Sequence, residues 1–210
     1  MRGPTVGWYE DRILPHIIQF ALDNKHTREV RRRVASGVSG DVLEIGFGSG
    51  LNLPYLTDAV TSFKAVDPSG GAAKLAAKRI AAAPVAVDFV GLDGQQLPLA
   101  DDSVDAVIST WTLCTIPDAV QAIREVRRVL RPGGALHFVE HGKSDDPGVK
   151  RWQDRLNGVQ QRIGGGCNLN RDIAGILTDG GLTISKLDRY YGPGEPKAFG
   201  CLYEGVAVAA

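Results

Sequence analysis

The sequence is short of the residues that staple or anchor a chain. Its three cysteines, Cys114, Cys167 and Cys201, are odd in number, far apart and without a C-x-x-C pair. A disulfide framework is thereby excluded, no spacing suggests a structural zinc site, and no metal is expected. No apolar run reaches the roughly 18 residues of a membrane-spanning helix, and the start, Met1 to Pro4, lacks the apolar core of a secretory signal. A reducing, cytoplasmic location is the expectation. Excess charge is absent too: 24 Lys and Arg balance 24 Asp and Glu, which leaves no field to gather nucleic acid. The single basic cluster, Arg28, Arg31, Arg32 and Arg33, reads as the solvated face of a helix. There is no repeat, low-complexity tract or linker, so 210 residues fit one domain, and nothing calls for an obligate protein partner.

What the sequence does contain is strand-like and helix-like segments in alternation, the pattern of a doubly wound α/β fold with a mostly parallel sheet and helices on both faces. Apolar runs at Val42–Ile45, Phe63–Val66, Val85–Val90, Val104–Ser109 and Ala135–Glu140 predict five strands. Helices are predicted over Ala72–Ala82 and over Pro117–Leu130, the second behind a first-turn proline and ended by Arg131-Pro-Gly-Gly134. Farther on, Trp152, Leu156, Val159 and Ile163 form a helical stripe that Gly164–Gly166 interrupts. Asn170 is a candidate cap for the next helix, and Leu182–Leu187 and Cys201–Val208 read as closing strands. Before the first strand, Ile13–Leu22 reads as an amphipathic helix that, with Trp8 and Tyr9, can close as a lid. The chain thus divides into a lid (1–38), a donor-binding core (39–141) and acceptor-side helices and strands (142–210).

Three stretches carry chemistry. In Val42-Leu-Glu-Ile-Gly-Phe-Gly-Ser-Gly-Leu51 an apolar strand runs into alternating glycines and an expected helix. Gly46 and Gly48 let the backbone approach a ligand, and amides at the helix start would face the same crevice. A nicotinamide fingerprint would need glycine where Leu51 stands. Glu44 suits a ligand with a charged amino group better than a pyrophosphate. Asp67, followed by Pro68 at the end of the second strand, can accept from both hydroxyls of a ribose. Asp93, past the third strand, can accept from an adenine amine, with the amides of Gly94 and Gln95 turned to the ring.

Together with Asp101–Ile108 and Arg131–Leu136, these blocks resemble the class I S-adenosylmethionine-dependent methyltransferase superfamily over residues 40–141. The resemblance implies S-adenosylmethionine as cofactor and a seven-stranded Rossmann-like sheet whose last strand is antiparallel. It places Glu44, Gly46, Gly48, Asp67 and Asp93 on donor-binding positions. A finer resemblance, to the methyltransferase-like thiol S-methyltransferases, rests on Thr112-Leu-Cys-Thr115, Glu140-His141, Trp152-Gln153 and Gly166-Cys-Asn-Leu-Asn-Arg171. It implies a small-molecule acceptor, a thiol first; a phospholipid headgroup, quinone or phenol is the alternative. Outside this chemistry stand a non-catalytic donor-binding protein and an NAD(P)-dependent oxidoreductase, the latter disfavoured by Leu51 and Asp93.

At the acceptor side, His141 follows the fifth strand. A neutral imidazole there can serve as general base, and a hydrogen bond to loop backbone is its structural alternative. His137 and His141 are four apart on a strand, about 13 Å, too far for one ion. Thr110 and Trp111 are expected to line the pocket. Cys167 is either a reactive thiol or a small buried residue. Tyr190 reaches the acceptor from the approach to the last strand, or packs.

Overall fold

The computed structural model describes residues 22–209 and, ahead of them, positions 16, 19 and 20. Trp8, Tyr9 and most of the expected lid helix therefore lie outside the described residues. Seven strands form one sheet: β1 Gly40–Ile45, β2 Val60–Val66, β3 Val87–Gly91, β4 Val104–Thr110, β5 Leu130–His141, β6 Thr183–Tyr191 and β7 Cys201–Val208. Their spatial order is β3-β2-β1-β4-β5-β7-β6. β1 to β5 pair in parallel, and β7 runs antiparallel to both β5 and β6. The order reverses between β1 and β4. That switch point opens a crevice beyond the carboxyl ends of the strands, where such sheets bind ligands.

Alternation along each strand sends side chains to two separate cores. Leu43, Ile45, Val107, Leu136 and Phe138 join one core with Ile123 and Val126 of α3 (Ala119–Val129) and Ile173 and Leu177 of α5 (Ile173–Asp179). Val42, Phe63, Ala65, Ile108 and Val139 join the other with Val30 and Val34 of α1 (Lys25–Ala35) and Ala76 of α2 (Gly70–Ala81). Glu44 shares the parity of Val42, so it is carried to the α1 side of the sheet and buried there. The fourth helix, α4 (Pro147–Ile163), inverts the usual burial. Its buried residue is Gln153, which donates to Gly142 O at 3.0 Å and accepts from Ser144 N at 2.9 Å. Trp152, Val159 and Ile163 of the expected stripe are more than half exposed, at 56–58%.

Four local expectations are corrected. The glycine loop after β1 leads into a single 3-10 turn, Leu53–Tyr55, rather than an α-helix, because Pro54 and the positive φ at Gly46, Gly48 and Gly50 keep the chain turning. Pro117 stands outside α3, which Asp118 caps by accepting from Gln121 N. α5 is capped by Asp172 rather than Asn170, whose amide instead donates to Asp154 at 2.8 Å. β5 already begins at Leu130, directly against α3, and absorbs the Pro-Gly-Gly segment with Gly133 at φ +79.

Candidate active site

At the switch point lies a cleft of about 630 Å³, within the usual range for small-molecule sites. Its walls come from the loops after β1, β2, β3 and β4, facing a segment from the end of α4. Gly46 (φ +70) and Gly48 (φ +56) have different reasons to be glycine. A Cβ on Gly46 would lie 2.1 Å from Thr112 Oγ1, so the first glycine is fixed by packing against the loop after β4. Around Gly48 the nearest heavy atom to such a Cβ is 3.9 Å away, so the second glycine keeps cleft space open. Asp67 ties this loop to α2. Its Oδ2 accepts from Gly48 N at 2.7 Å and its Oδ1 from Ser69 N at 2.8 Å. Burial pushes this carboxyl up, and the two amide bonds oppose the shift. Pro68, Gly94, Gln95 and Asp93 complete this end. The Asp93 side chain is exposed at the rim, with Oδ1 accepting from Gln95 N at 2.8 Å and Gln95 Nε2 at 3.0 Å.

Arg31 corrects the reading of the basic cluster as a solvated face. Arg28 and Arg33 do face outward, paired with Asp23 and Glu204. Arg31 is 5% exposed and lines the cleft. One terminal nitrogen donates to Asn52 Oδ1 at 3.0 Å and Thr110 Oγ1 at 2.8 Å, and the guanidinium stacks 4.8 Å over Trp111. Asn52 in turn donates to Glu44 Oε1 at 2.6 Å and Thr110 Oγ1 at 3.0 Å. Glu44 thus stands behind the wall rather than on it. Burial pushes its pKa up to about 8, against the Asn52 hydrogen bond and the nearby Arg31. Burial also pulls Arg31 down to about 10, still well above neutrality, so the guanidinium stays charged. Two buried polar atoms, Arg31 Nε and Glu44 Oε2, have no partner among the described residues. A zwitterion would supply both, a carboxylate for the guanidinium and an ammonium for the carboxyl group. Sequence reading missed Arg31 and Asn52, although Arg31 falls on the helix face of Thr27, Val30 and Val34.

At the other end Trp111 adopts φ +53, a conformation bulky residues rarely take outside functional sites. Its amide is held by Val139 O at 2.8 Å. The wall continues through Thr112, Thr115, Ile116 and Pro117 to Gln161 and Gly164–Gly166. Glu140, fully buried, holds this loop by accepting from Thr112 N at 3.0 Å and Cys114 N at 3.2 Å. His141 and Cys167 are brought together but do not line the cleft: Nδ1 lies 3.6 Å from Cys167 Sγ, and the ring centroid is 6.4 Å from that of Trp111. Cys167 Sγ is also 3.5 Å from Cys114 Sγ. Burial is the largest single influence on His141 and pulls it down, but the hydrogen bond and charge of the Cys167 sulfur together with the charges of Glu140 and Glu195 leave the ring raised. Tyr190 stays outside the cleft as well. Its hydroxyl donates to Glu204, the carboxylate that also receives Arg33.

The comparisons agree with this geometry. A model of the methyltransferase domain family matches residues 43–138. The chain is 32% identical over 164 residues to human thiol S-methyltransferase TMT1A, covering 75% of this chain and 67% of that protein. It is 34% identical over 160 residues to human thiol S-methyltransferase TMT1B, covering 73% and 65%. Among solved structures, a chain of the complex between the Haloferax volcanii Trm112 methyltransferase activator and its methyltransferase superposes with TM-score 0.71 at 19% identity, covering 94% of this chain and 98% of that one. The chain belongs to the class I S-adenosylmethionine-dependent methyltransferases, with S-adenosylmethionine as methyl donor. Within that class its similarity runs to the thiol S-methyltransferases, of whose length it spans 58–67%.

Proposed function

We propose that the protein transfers the methyl group of S-adenosylmethionine to a small thiol. The observation that carries this reading is the chemistry of the acceptor wall. Among the described residues, the ionisable side chains lining the cleft are Arg31, Asp67 and Asp93; Asp67 and Asp93 lie on the loops after β2 and β3, and Arg31 is held by Asn52 and Thr110. From Trp111 through Pro117 and across to Gly164–Gly166 the described residues offer aromatic, aliphatic, hydroxyl and amide groups only. An amine acceptor is cationic at neutral pH and a phenol is protonated; each needs a base to become a nucleophile. A thiol with pKa ~8.5 supplies its own thiolate in a few per cent of molecules at neutral pH and needs none. The similarity to thiol S-methyltransferases supports the same class.

Bound in the cleft, the donor supplies an electrophilic methyl on a sulfonium. Arg31 takes its carboxylate at the unpartnered Nε and Glu44 balances its ammonium. Asp67 accepts from the ribose hydroxyls, and Asp93 with the amides of Gly94 and Gln95 takes the adenine edge. Trp111 and the glycines opposite hold the acceptor in line, and in-line placement accounts for much of the rate. The acceptor sulfur gains the methyl carbon as the carbon–sulfonium bond breaks, and S-adenosylhomocysteine leaves neutral at sulfur. Opposite charges cancel in this step, so an apolar wall favours it. A screen of thiols, amines and phenols read by S-adenosylhomocysteine release tests the proposal: small alkyl and aryl thiols turn over fastest. A faster amine or phenol overturns it.

A further inference from the structure

We infer that Cys114, His141 and Cys167 form a three-ligand site for a thiophilic divalent cation, zinc above all. The three come from distant parts of the chain: Cys167 is 26 residues from His141 and 53 from Cys114. The loop after β4, the end of β5 and the turn after α4 bring them together. Their donor atoms lie within 4.8 Å of one another, with both cysteines buried.

The distances match a coordination polyhedron. With zinc–sulfur bonds of about 2.3 Å and zinc–nitrogen bonds of about 2.0–2.1 Å, tetrahedral angles place two sulfurs about 3.8 Å apart and a sulfur and a nitrogen about 3.6 Å apart. The corresponding edges here are 3.5 Å for Cys167–Cys114 and 3.6 Å for Cys167–His141. The third edge needs to close by at most about 1.2 Å from its 4.8 Å limit, within reach of a side-chain rotation. Two thiolates and an imidazole are a soft set that selects zinc or cobalt over magnesium or calcium. On coordination the thiols release their protons to solvent, and one position stays free for water or an exogenous thiolate.

A metal site also needs ligands held by their surroundings. Here the backbone around Cys114 is gripped from both sides. Glu140 Oε2 accepts from its amide, while Asn168 donates to its carbonyl from the backbone at 2.8 Å and the side chain at 2.9 Å. Asn168 Oδ1 is fixed by Gln161 Nε2 at 2.6 Å, and Cys167 N donates to Gly164 O at 3.1 Å. A bound ion would therefore lock the loop 112–117 to the turn 164–168, the two segments whose neighbouring residues face each other across the acceptor wall. The inference stands apart from the choice of acceptor.

Cobalt titration of the reduced full-length protein tests it without an activity readout. The expected result is one equivalent bound, with thiolate-to-cobalt charge-transfer bands in the near ultraviolet and tetrahedral ligand-field bands in the visible, bleached by zinc. Cys114→Ser and Cys167→Ser should each lower charge-transfer intensity by roughly half. Their cobalt affinity should fall at least about tenfold, since even losing a partner of a ligand costs that much. Cys201→Ser, a buried thiol outside the cluster, should bind as the native protein does. Absence of these bands in the native protein, or their survival unchanged in both cluster variants, overturns the site.

Discussion

Exchanging Glu44 for glutamine should remove a proton from two equilibria at once. Glu44 is 1% exposed, and burial raises its pKa from 4.5 to about 8. Because the folded value lies above the unfolded one, folding favours the neutral acid. That contribution is complete below about pH 4.5 and is lost as pH rises through about 8. At pH 7 the loss amounts to about 3 kcal/mol relative to acid conditions, at 1.36 kcal/mol per unit. Glu44→Gln keeps an oxygen for Asn52 Nδ2 and carries no charge, so its urea-derived stability should lack this decline between pH 5 and 8. Donor binding reports the same group from the other side. About 90% of Glu44 is protonated at pH 7 if its pKa is 8, and an arriving ammonium ionises it. Close to one proton, about 0.9, should then leave on binding at pH 7 and about 0.1 at pH 9. Calorimetry in buffers of different ionisation enthalpy measures this number directly, and Glu44→Gln should abolish it. Buffer-independent heats in the native protein, or equal proton release in the variant, would refute the assignment of Glu44 to the donor's ammonium.

Other expectations follow from the same geometry. Asp67→Ala would remove the two charge-assisted contacts proposed to the ribose and should weaken S-adenosylmethionine by about 2–4 kcal/mol, roughly 30- to 1,000-fold; native affinity by calorimetry would take Asp67 out of the donor site. Gly46→Ala meets Thr112 at 2.1 Å and should cost about 3 kcal/mol or more in a denaturant melt. Gly48→Ala, with open space and φ +56, should cost only about 1–2 kcal/mol in stability yet lower donor affinity at least tenfold; unimpaired binding would show that this space is not the donor's. The rate with a thiol of pKa ~8.5 should rise about tenfold per pH unit below that value, and a profile flat from pH 6 to 8 with chemistry rate-limiting would contradict a self-ionising acceptor.

The sheet was legible because its five parallel strands announce themselves as apolar runs, even the half-exposed edge strand β3, and loops with glycine and aspartate mark their carboxyl ends. Gly46, Gly48, Asp67, Asp93, Thr110 and Trp111 all reach the cleft for that reason. Features set by tertiary contact were harder to read. Arg31 sat within a run of arginines, and only the docking of α1 on the sheet separates it from its exposed neighbours. Glu44 follows the parity of Val42, which places it under Asn52, one layer behind the wall. The stripe of α4 obeys helical spacing, yet Trp152, Val159 and Ile163 stay more than half exposed, while a polar Gln153 is buried to satisfy backbone groups of the adjoining loop. Cysteine spacing gave no warning of the three-donor cluster, because its members meet through the fold and not along the chain.

The two ends of the cleft are built from non-overlapping stretches of sequence. The end proposed for the donor is lined by residues between 22 and 95 and the proposed acceptor wall by residues 111 to 117 and 161 to 166, with Thr110 between them. Each half can drift separately. Exchanging the two acceptor segments for those of another member of the class would retarget the enzyme while its fuel stays the same, which suits the scaffold to evolving new nucleophile preferences under selection for a single cosubstrate.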